Sequence, residues 1–161
     1  MNKTNKNNLA IRQYQPADHD AVVKLHYLAL EKAGALIGNG PWDDSDLNNI
    51  PDRYLADRGE FIVGLMDKKI VCMGALRKKS ETLAEIKRMR VHPDYQRRGL
   101  GQTVLIELER TARKLGYNEV CLDTTTRQIA AQKLYQKNGY HEVRRNKLAG
   151  LDIIFYTKKI D

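Results

Sequence analysis

The hydrophobic pattern changes period several times along the chain, and each change marks an element. LAIRQY, residues 9–14, alternates enough for a short strand. From Pro16 the stretch PADHDAVVKLHYLALEKAG places Val22, Leu25, Leu28 and Ala29 at helical spacing, with Gly34 near its end. The Gly, Asn, Pro and Asp-rich segment ALIGNGPWDDSD reads as a loop, and LNNIPDRYLADRG as a second, poorer helix despite Pro51. EFIVGLM, DKK and IVCMGALRK then predict a β-hairpin, followed by a further strand, LAEIKRMRV. Leu100 to Gly116 is the strongest helix, with Val104, Leu105, Leu108, Ala112 and Leu115 on one stripe. EVCLDT is a short strand, QIAAQKLYQKNG a helix stopped by Gly139, and YHEVRR with LDIIFYTK a closing hairpin. The order β-α-α-β-β-β-α-β-α-β-β defines an α/β domain with a mixed sheet.

One strand breaks its own rule. Ala84 and Ile86 are apolar at even positions, whereas Met89 and Val91 are apolar at odd ones. An inserted residue, a β-bulge, produces such a switch; so does a central strand covered on both faces.

A length of 161 residues with 42% hydrophobic content suits one compact domain, expected over residues 9–161. The start MNKTNKNN lacks the apolar core of a signal peptide and is expected to be a disordered tail over residues 1–8. No apolar run reaches membrane-spanning length, so a cytoplasmic protein away from membranes is expected. Cys72 and Cys121 sit inside apolar runs as small hydrophobes, and the four histidines lack zinc-like spacing, so no metal is expected. The net charge of +8 favours an anionic partner without selecting one.

QRRGLG, residues 96–101, stands between a strand and the strong helix. Its glycines permit positive φ and close approach of a ligand to the backbone. The first helical turn has unpartnered N–H groups and a positive dipole end, which suits a diphosphate. Two nucleotide-binding rivals fail. No Lys follows Gly101, against a P-loop, and Val104 stands where a Rossmann fingerprint needs its third glycine.

With those residues in place, the stretch from Ala84 to Val143 resembles the GNAT superfamily of acyl-CoA-dependent N-acyltransferases. Three motifs carry the resemblance in order: Val91-His92-Pro93-Asp94-Tyr95, Gln96-Arg97-Arg98-Gly99-Leu100-Gly101, and Leu134-Tyr135-Gln136-Lys137-Asn138-Gly139-Tyr140. The resemblance implies a mixed, mostly antiparallel central sheet, splayed at its middle strand and flanked by about four helices. It implies acetyl-CoA as co-substrate. A bulge at Met89, Arg90 and Val91 would receive the pantetheine arm, and the amides from Arg97 and Arg98 through Gly99, Leu100, Gly101 and Gln102 the pyrophosphate. Gln128 stands where many members carry an Asn near the pantetheine.

For the chemistry, an amine of pKa ~10.4 needs a base, and Glu85 lies where some members use one. The competing role for Glu85 is a plain ion pair with Lys87 or another cation. A bulge N–H, of Met89 or Val91, suits the oxyanion, and Tyr135 is the candidate acid for the leaving thiolate. Tyr140 is expected in the core and His92 in a structural turn, with no role assigned to His141. Trp42 with Asp43, Asp44 and Asp46 points to a cationic acceptor, or the acids are helix caps. Arg144, Arg145 and Lys147 point to an acidic acceptor instead. The partner is therefore an amine of small molecule or peptide, with no nucleic acid; the resemblance allows a homodimer. A non-catalytic acyl-CoA sensor is the alternative class, and a basic nucleic-acid module is disfavoured because no stacking-aromatic motif appears.

Overall fold

The computed structural model describes residues 8–35 and 44–161. In chain order the elements are β1 (Ala10–Gln13), α1 (His19–Lys32), α2 (Ile50–Tyr54), β2 (Glu60–Met66), β3 (Lys69–Lys78), β4 (Leu83–Val91), α3 (Leu100–Lys114), β5 (Glu119–Thr125), α4 (Ile129–Lys137), β6 (His141–Leu148) and β7 (Leu151–Lys159). The strands form one sheet in the order β1-β2-β3-β4-β5-β7-β6. Every neighbouring pair is antiparallel except β4 and β5, which are parallel and joined through α3. The predicted element order and sheet character hold. The expected tail falls on residues outside the described ones, except for Asn8.

Strand alternation sorts the core into two layers. Ile62 packs with Val104, Leu105 and Leu108 of α3, while Phe61 and Val63 pack with Val22 and Leu25 of α1 and with Ile50 and Tyr54 of α2. Helices α1 and α3 therefore cover opposite faces, and Tyr135 places α4 on the α3 side. The second helix is shorter than the pattern predicts. Pro51, lacking an N–H, sits in its first turn, and Asp57 and Arg58 leave helical space at φ 48° and 60°.

The parity break is a bulge. The β3–β4 register pairs Ala75 with Lys87 and then Met73 with Arg90, so Arg88 and Met89 together face Gly74. Arg88 takes the left-handed conformation, φ 57°. Lys87 and Arg90 consequently face α1, while Met89 and Val91 join the α3 core. Gly74 makes this possible: a Cβ there would lie 2.7 Å from Val104 Cγ1 and 2.8 Å from Leu108 Cδ1. Gly74→Ala is expected to cost about 1–3 kcal/mol through overpacking. A thermal melt reads the loss, and an unchanged melting temperature would show that α3 can move away freely.

The parallel pair is brief. It covers Leu83↔Glu119, Ala84↔Val120 and Glu85↔Cys121, after which β4 stays with β3 and β5 stays with β7. The sheet opens between them.

Candidate active site

The opening is a cleft of ≈ 620 Å³, within the usual range for small-molecule sites. Met89, Arg90 and Val91 of β4, the turn from Gln96 into α3, Gln128 with Leu134 and Tyr135 of α4, and Ala29, Lys32 and Ala33 of α1 line it. Because α1 and α3 lie on opposite faces, the cleft passes through the sheet.

At the α3 end, Arg97 has φ 61° and Gly99 caps the helix at φ 78°. The first backbone bond runs from the Thr103 N–H to the Gly99 carbonyl at 3.1 Å. The first turn holds no acidic residue, and among the described residues no side chain caps it. Its amide dipoles are therefore left for a ligand, and negative charge is the charge they favour. Gly101 lets α3 sit against α4, since a Cβ would lie 3.3 Å from Leu134 Cδ2. The paired side-chain amides of Gln102 and Asn138, 2.6 Å in each direction, brace the two helices. Arg98 is outside the lining: its guanidinium donates to the Asp94 carbonyl at 3.2 Å and lies 5.0 Å over the Tyr95 ring.

At the inner end Tyr135 is buried among Tyr140 and Tyr156. Burial pushes its hydroxyl up to about 12, so it stays protonated. Its hydrogen-bond partner is the Met89 thioether at 3.9 Å, a weak acceptor. Gln128 lines the cleft, but its Oε1 accepts from Thr124 Oγ1 at 3.0 Å and from the Thr125 N–H at 3.2 Å. Glu85 is buried and outside the lining. It accepts from Arg77 Nε at 2.7 Å and lies 3.8 Å from Lys79 Nζ, not against Lys87. Asp123, on the same face of β5, keeps solvent-accessible surface, and crowding by surrounding protein pushes its carboxyl up against the opposing pull of Lys87.

Arg88 ties the bulge to the segment before α2. It donates to Asp46 at 2.9 and 2.6 Å and meets Asp44 at 3.1 Å. Burial works against the Asp46 carboxylate, but the Arg88 and Tyr54 hydrogen bonds hold it below its ordinary value. Asp44 and Asp46 are thus neutralised within the protein instead of inviting a cation, and Asp44 forms no side-chain cap. Trp42 and Asp43 lie outside the described residues. Arg144 stacks 3.7 Å from the Phe155 ring and Arg145 pairs with Glu142, both on β6 away from the cleft. His141 is exposed there, whereas His92 Nδ1 accepts from the Asp94 N–H at 3.1 Å in its turn. Tyr140 is buried and donates to Glu109 at 2.9 Å.

His26 and Arg90 escape any reading by motif. His26 is fully buried, and its Nδ1 accepts from Arg90 Nε at 3.3 Å. Its Nε2 lies 3.3 Å from Asp44 Oδ2. Burial, then the Arg90 and Arg88 charges, hold the ring down to about 4, outweighing Asp44. A folded pKa below the unfolded 6.5 means that stability is full above about pH 6.5 and falls as pH drops toward 4. The slope is at most about 1.4 kcal/mol per pH unit. Melts at pH 7 and pH 5 should show the loss, and His26→Gln should flatten it; an unchanged slope would assign the effect to other groups.

Both cysteines are free, Cys72 buried and Cys121 half-buried. Burial raises their thiols to about 12 and about 11 respectively. Among the described residues no cluster suited to a metal ion appears, and no helix is long and apolar enough to cross a membrane.

The chain belongs to the acetyltransferase (GNAT) family, whose sequence model matches residues 19–140. It is 35% identical over 114 residues to human N-acetyltransferase 8, covering 62% of this chain and 50% of that protein. N-acetylaspartate synthetase of Xenopus tropicalis is 30% identical over 101 residues, covering 62% of this chain and 37% of the relative. The chain thus spans about half or less of these relatives' length. In three dimensions it resembles a GNAT acetyltransferase of Staphylococcus aureus Mu50, with a TM-score of 0.84, 22% identity and coverage of 95% and 99% of the two chains. A Salmonella typhimurium putative acetyltransferase solved with acetyl-CoA gives a TM-score of 0.79 at 20% identity, covering 96% and 95%.

Proposed function

We propose that this chain transfers an acetyl group from acetyl-CoA to a primary amine, by direct attack with both substrates bound. The observation that carries the reading is the continuous cleft through the sheet, with an uncapped, acid-free helix start at one end and the Tyr135 hydroxyl at the other. Acetyl-CoA supplies an activated thioester. The amides from Arg97 to Gln102 receive its diphosphate, with Arg97 adding charge and Arg98 shaping the turn. Met89, Arg90 and Val91 flank the acyl end, where a backbone N–H of Met89 or Val91 donates to developing negative charge. Gln128 lies alongside the pantetheine path.

In the transfer, the amine nitrogen bonds to the acetyl carbon as the carbon–sulfur bond breaks. The amine's proton leaves through water to a carboxylate, and the Tyr135 proton goes to the departing sulfur. Glu85 and Asp123 flank the parting strands as bases. Asp123 is the better placed, being solvent-accessible with a raised pKa, while Glu85 is committed to Arg77.

Thermal melting with acetyl-CoA tests the binding step. At 100 times Kd the ligand adds about 2.7 kcal/mol, a rise of several degrees for a domain of this size. Gly101→Leu should abolish the rise by pushing α3 from Leu134 and filling the cradle. No rise at millimolar acetyl-CoA in the unmodified protein would overturn the assignment. A rise without turnover on any amine would favour a binding or sensing domain.

A further inference from the structure

The charge lining the cleft is one-sided. Lys32, Arg90, Arg97, Arg127 and Lys137 contribute to its walls and, among the described residues, not one carboxylate does. Arg97 and Lys137 stand near the α3 start, where a diphosphate accounts for them; Lys137 immediately precedes Asn138, the partner of Gln102. Arg90 stands at the opposite, inner end. It directly follows Met89, whose thioether receives the Tyr135 hydroxyl.

The bonding of Arg90 is unusual for a cation placed so deep. Its Nη1 donates to the Met89 carbonyl at 2.8 Å and its Nε to neutral His26 at 3.3 Å. Neither partner is an anion, and no described carboxylate lies within ion-pair distance of it, whereas neighbouring Arg88 holds both Asp44 and Asp46. Burial, then the Arg88 charge, lowers its pKa to about 10, so it remains a cation at neutral pH. An uncompensated charge inside a protein is costly. Here it is kept at the point of reaction, anchored by two neutral acceptors and facing the cleft.

We infer that Arg90 receives a carboxylate on the acceptor, so that the acetylated amine is the amino group of an amino acid or of a compound that retains the amino-acid carboxylate. The guanidinium fork matches a carboxylate in bidentate geometry. A carboxylate held there places the adjacent amine beside the bulge and Tyr135. The same positive charge makes the acceptor's ammonium easier to deprotonate, which assists attack. The inference rests on the acetyl-transfer reading above and narrows it to one acceptor class.

Matched acceptors test it: leucine with leucinamide, phenylalanine with phenethylamine, and lysine with cadaverine, each with saturating acetyl-CoA. The carboxylate member should lead by at least tenfold in kcat/KM, mostly through KM. Arg90→Met should erase that preference, and Arg90→Lys should retain part of it. A second reading needs no turnover. With CoA present, a mixture of N-acetyl amino acids should raise the melting temperature of the unmodified protein more than the mixture of their amides, and Arg90→Met should remove the difference. Amides and decarboxylated amines accepted or bound equally well would overturn the inference. So would an Arg90→Met loss of kcat shared equally by all acceptors, which would assign the guanidinium to the thioester carbonyl. Absence of any acetyl-CoA response would instead defeat the acetyl-transfer reading itself.

Discussion

Asp46→Ala is expected to lower stability by about 3 kcal/mol, the lower end of what breaking a buried ion pair costs. Asp46 and Arg88 keep only 10% and 11% of their side-chain surface exposed. Removing the carboxylate takes two hydrogen bonds from the guanidinium and the acceptor from the buried Tyr54 hydroxyl. Asp44 remains at 3.1 Å and is itself 21% exposed, which is why the upper end is not expected. For a domain of this size the loss corresponds to roughly 6–12 °C in melting temperature.

The same pair holds the bulge at the cleft wall. Arg88 carries a positive φ of 57°, a conformation that costs a non-glycine residue on the order of 1 kcal/mol, and Asp46 is what keeps its side chain anchored there. Arg88→Gly suits the backbone but strands Asp46, so it should destabilise too. Combining both substitutions removes the stranded charges together and should be no worse than Asp46→Ala alone. A double mutant whose loss equals the sum of the two single losses would show that the residues act independently. Acetyl transfer should decline in Asp46→Ala at temperatures where the protein is still folded, because the cleft wall loses its register.

Much of this architecture was legible in the sequence, and the bulge most instructively. The shift from Ala84 and Ile86 to Met89 and Val91 is a change of parity along one face, and a single inserted residue produces it. The helix α3 was legible because its apolar stripe repeats, and the loop because two glycines stand before that stripe. The illegible parts are contacts without a period. Arg88 finds Asp46 42 residues away in an Asp-rich stretch, where charge alone offers several partners. Nothing in QRRGLG tells which arginine turns to the cleft and which folds onto Tyr95. His26 and Arg90 meet across 64 residues, and each looks like an ordinary polar residue on its own element. Gly74 did carry a signal: a glycine inside an apolar strand marks a bulge or a close approach. The helix around Pro51 was overextended because residues 55–59 keep a helical composition while Asp57 and Arg58 turn left-handed.

Tyr135→Phe is expected to cut kcat by about 10²- to 10⁴-fold, the range for loss of a positioned acid, while barely changing stability. The two halves of that expectation have one cause. Among the described residues the hydroxyl has only the Met89 thioether as partner, so its removal sacrifices little in the resting protein. A phenol that lacks a strong acceptor before reaction is free to donate when negative charge develops on the departing sulfur. Its pKa of about 12, raised by burial, keeps the phenol protonated at neutral pH, so it can donate a hydrogen bond to a departing thiolate without prior ionisation. Release of free thiol from acetyl-CoA with a carboxylate-bearing amine reads kcat directly, and a melt reads stability. Because the phenol remains protonated throughout the accessible alkaline range, its own ionisation should add no falling limb below about pH 10 in the unmodified enzyme. Full activity in Tyr135→Phe would remove the tyrosine from the chemistry and leave the thiolate to depart unassisted. Lost activity together with a melting temperature reduced by more than a few degrees would instead make it a packing residue.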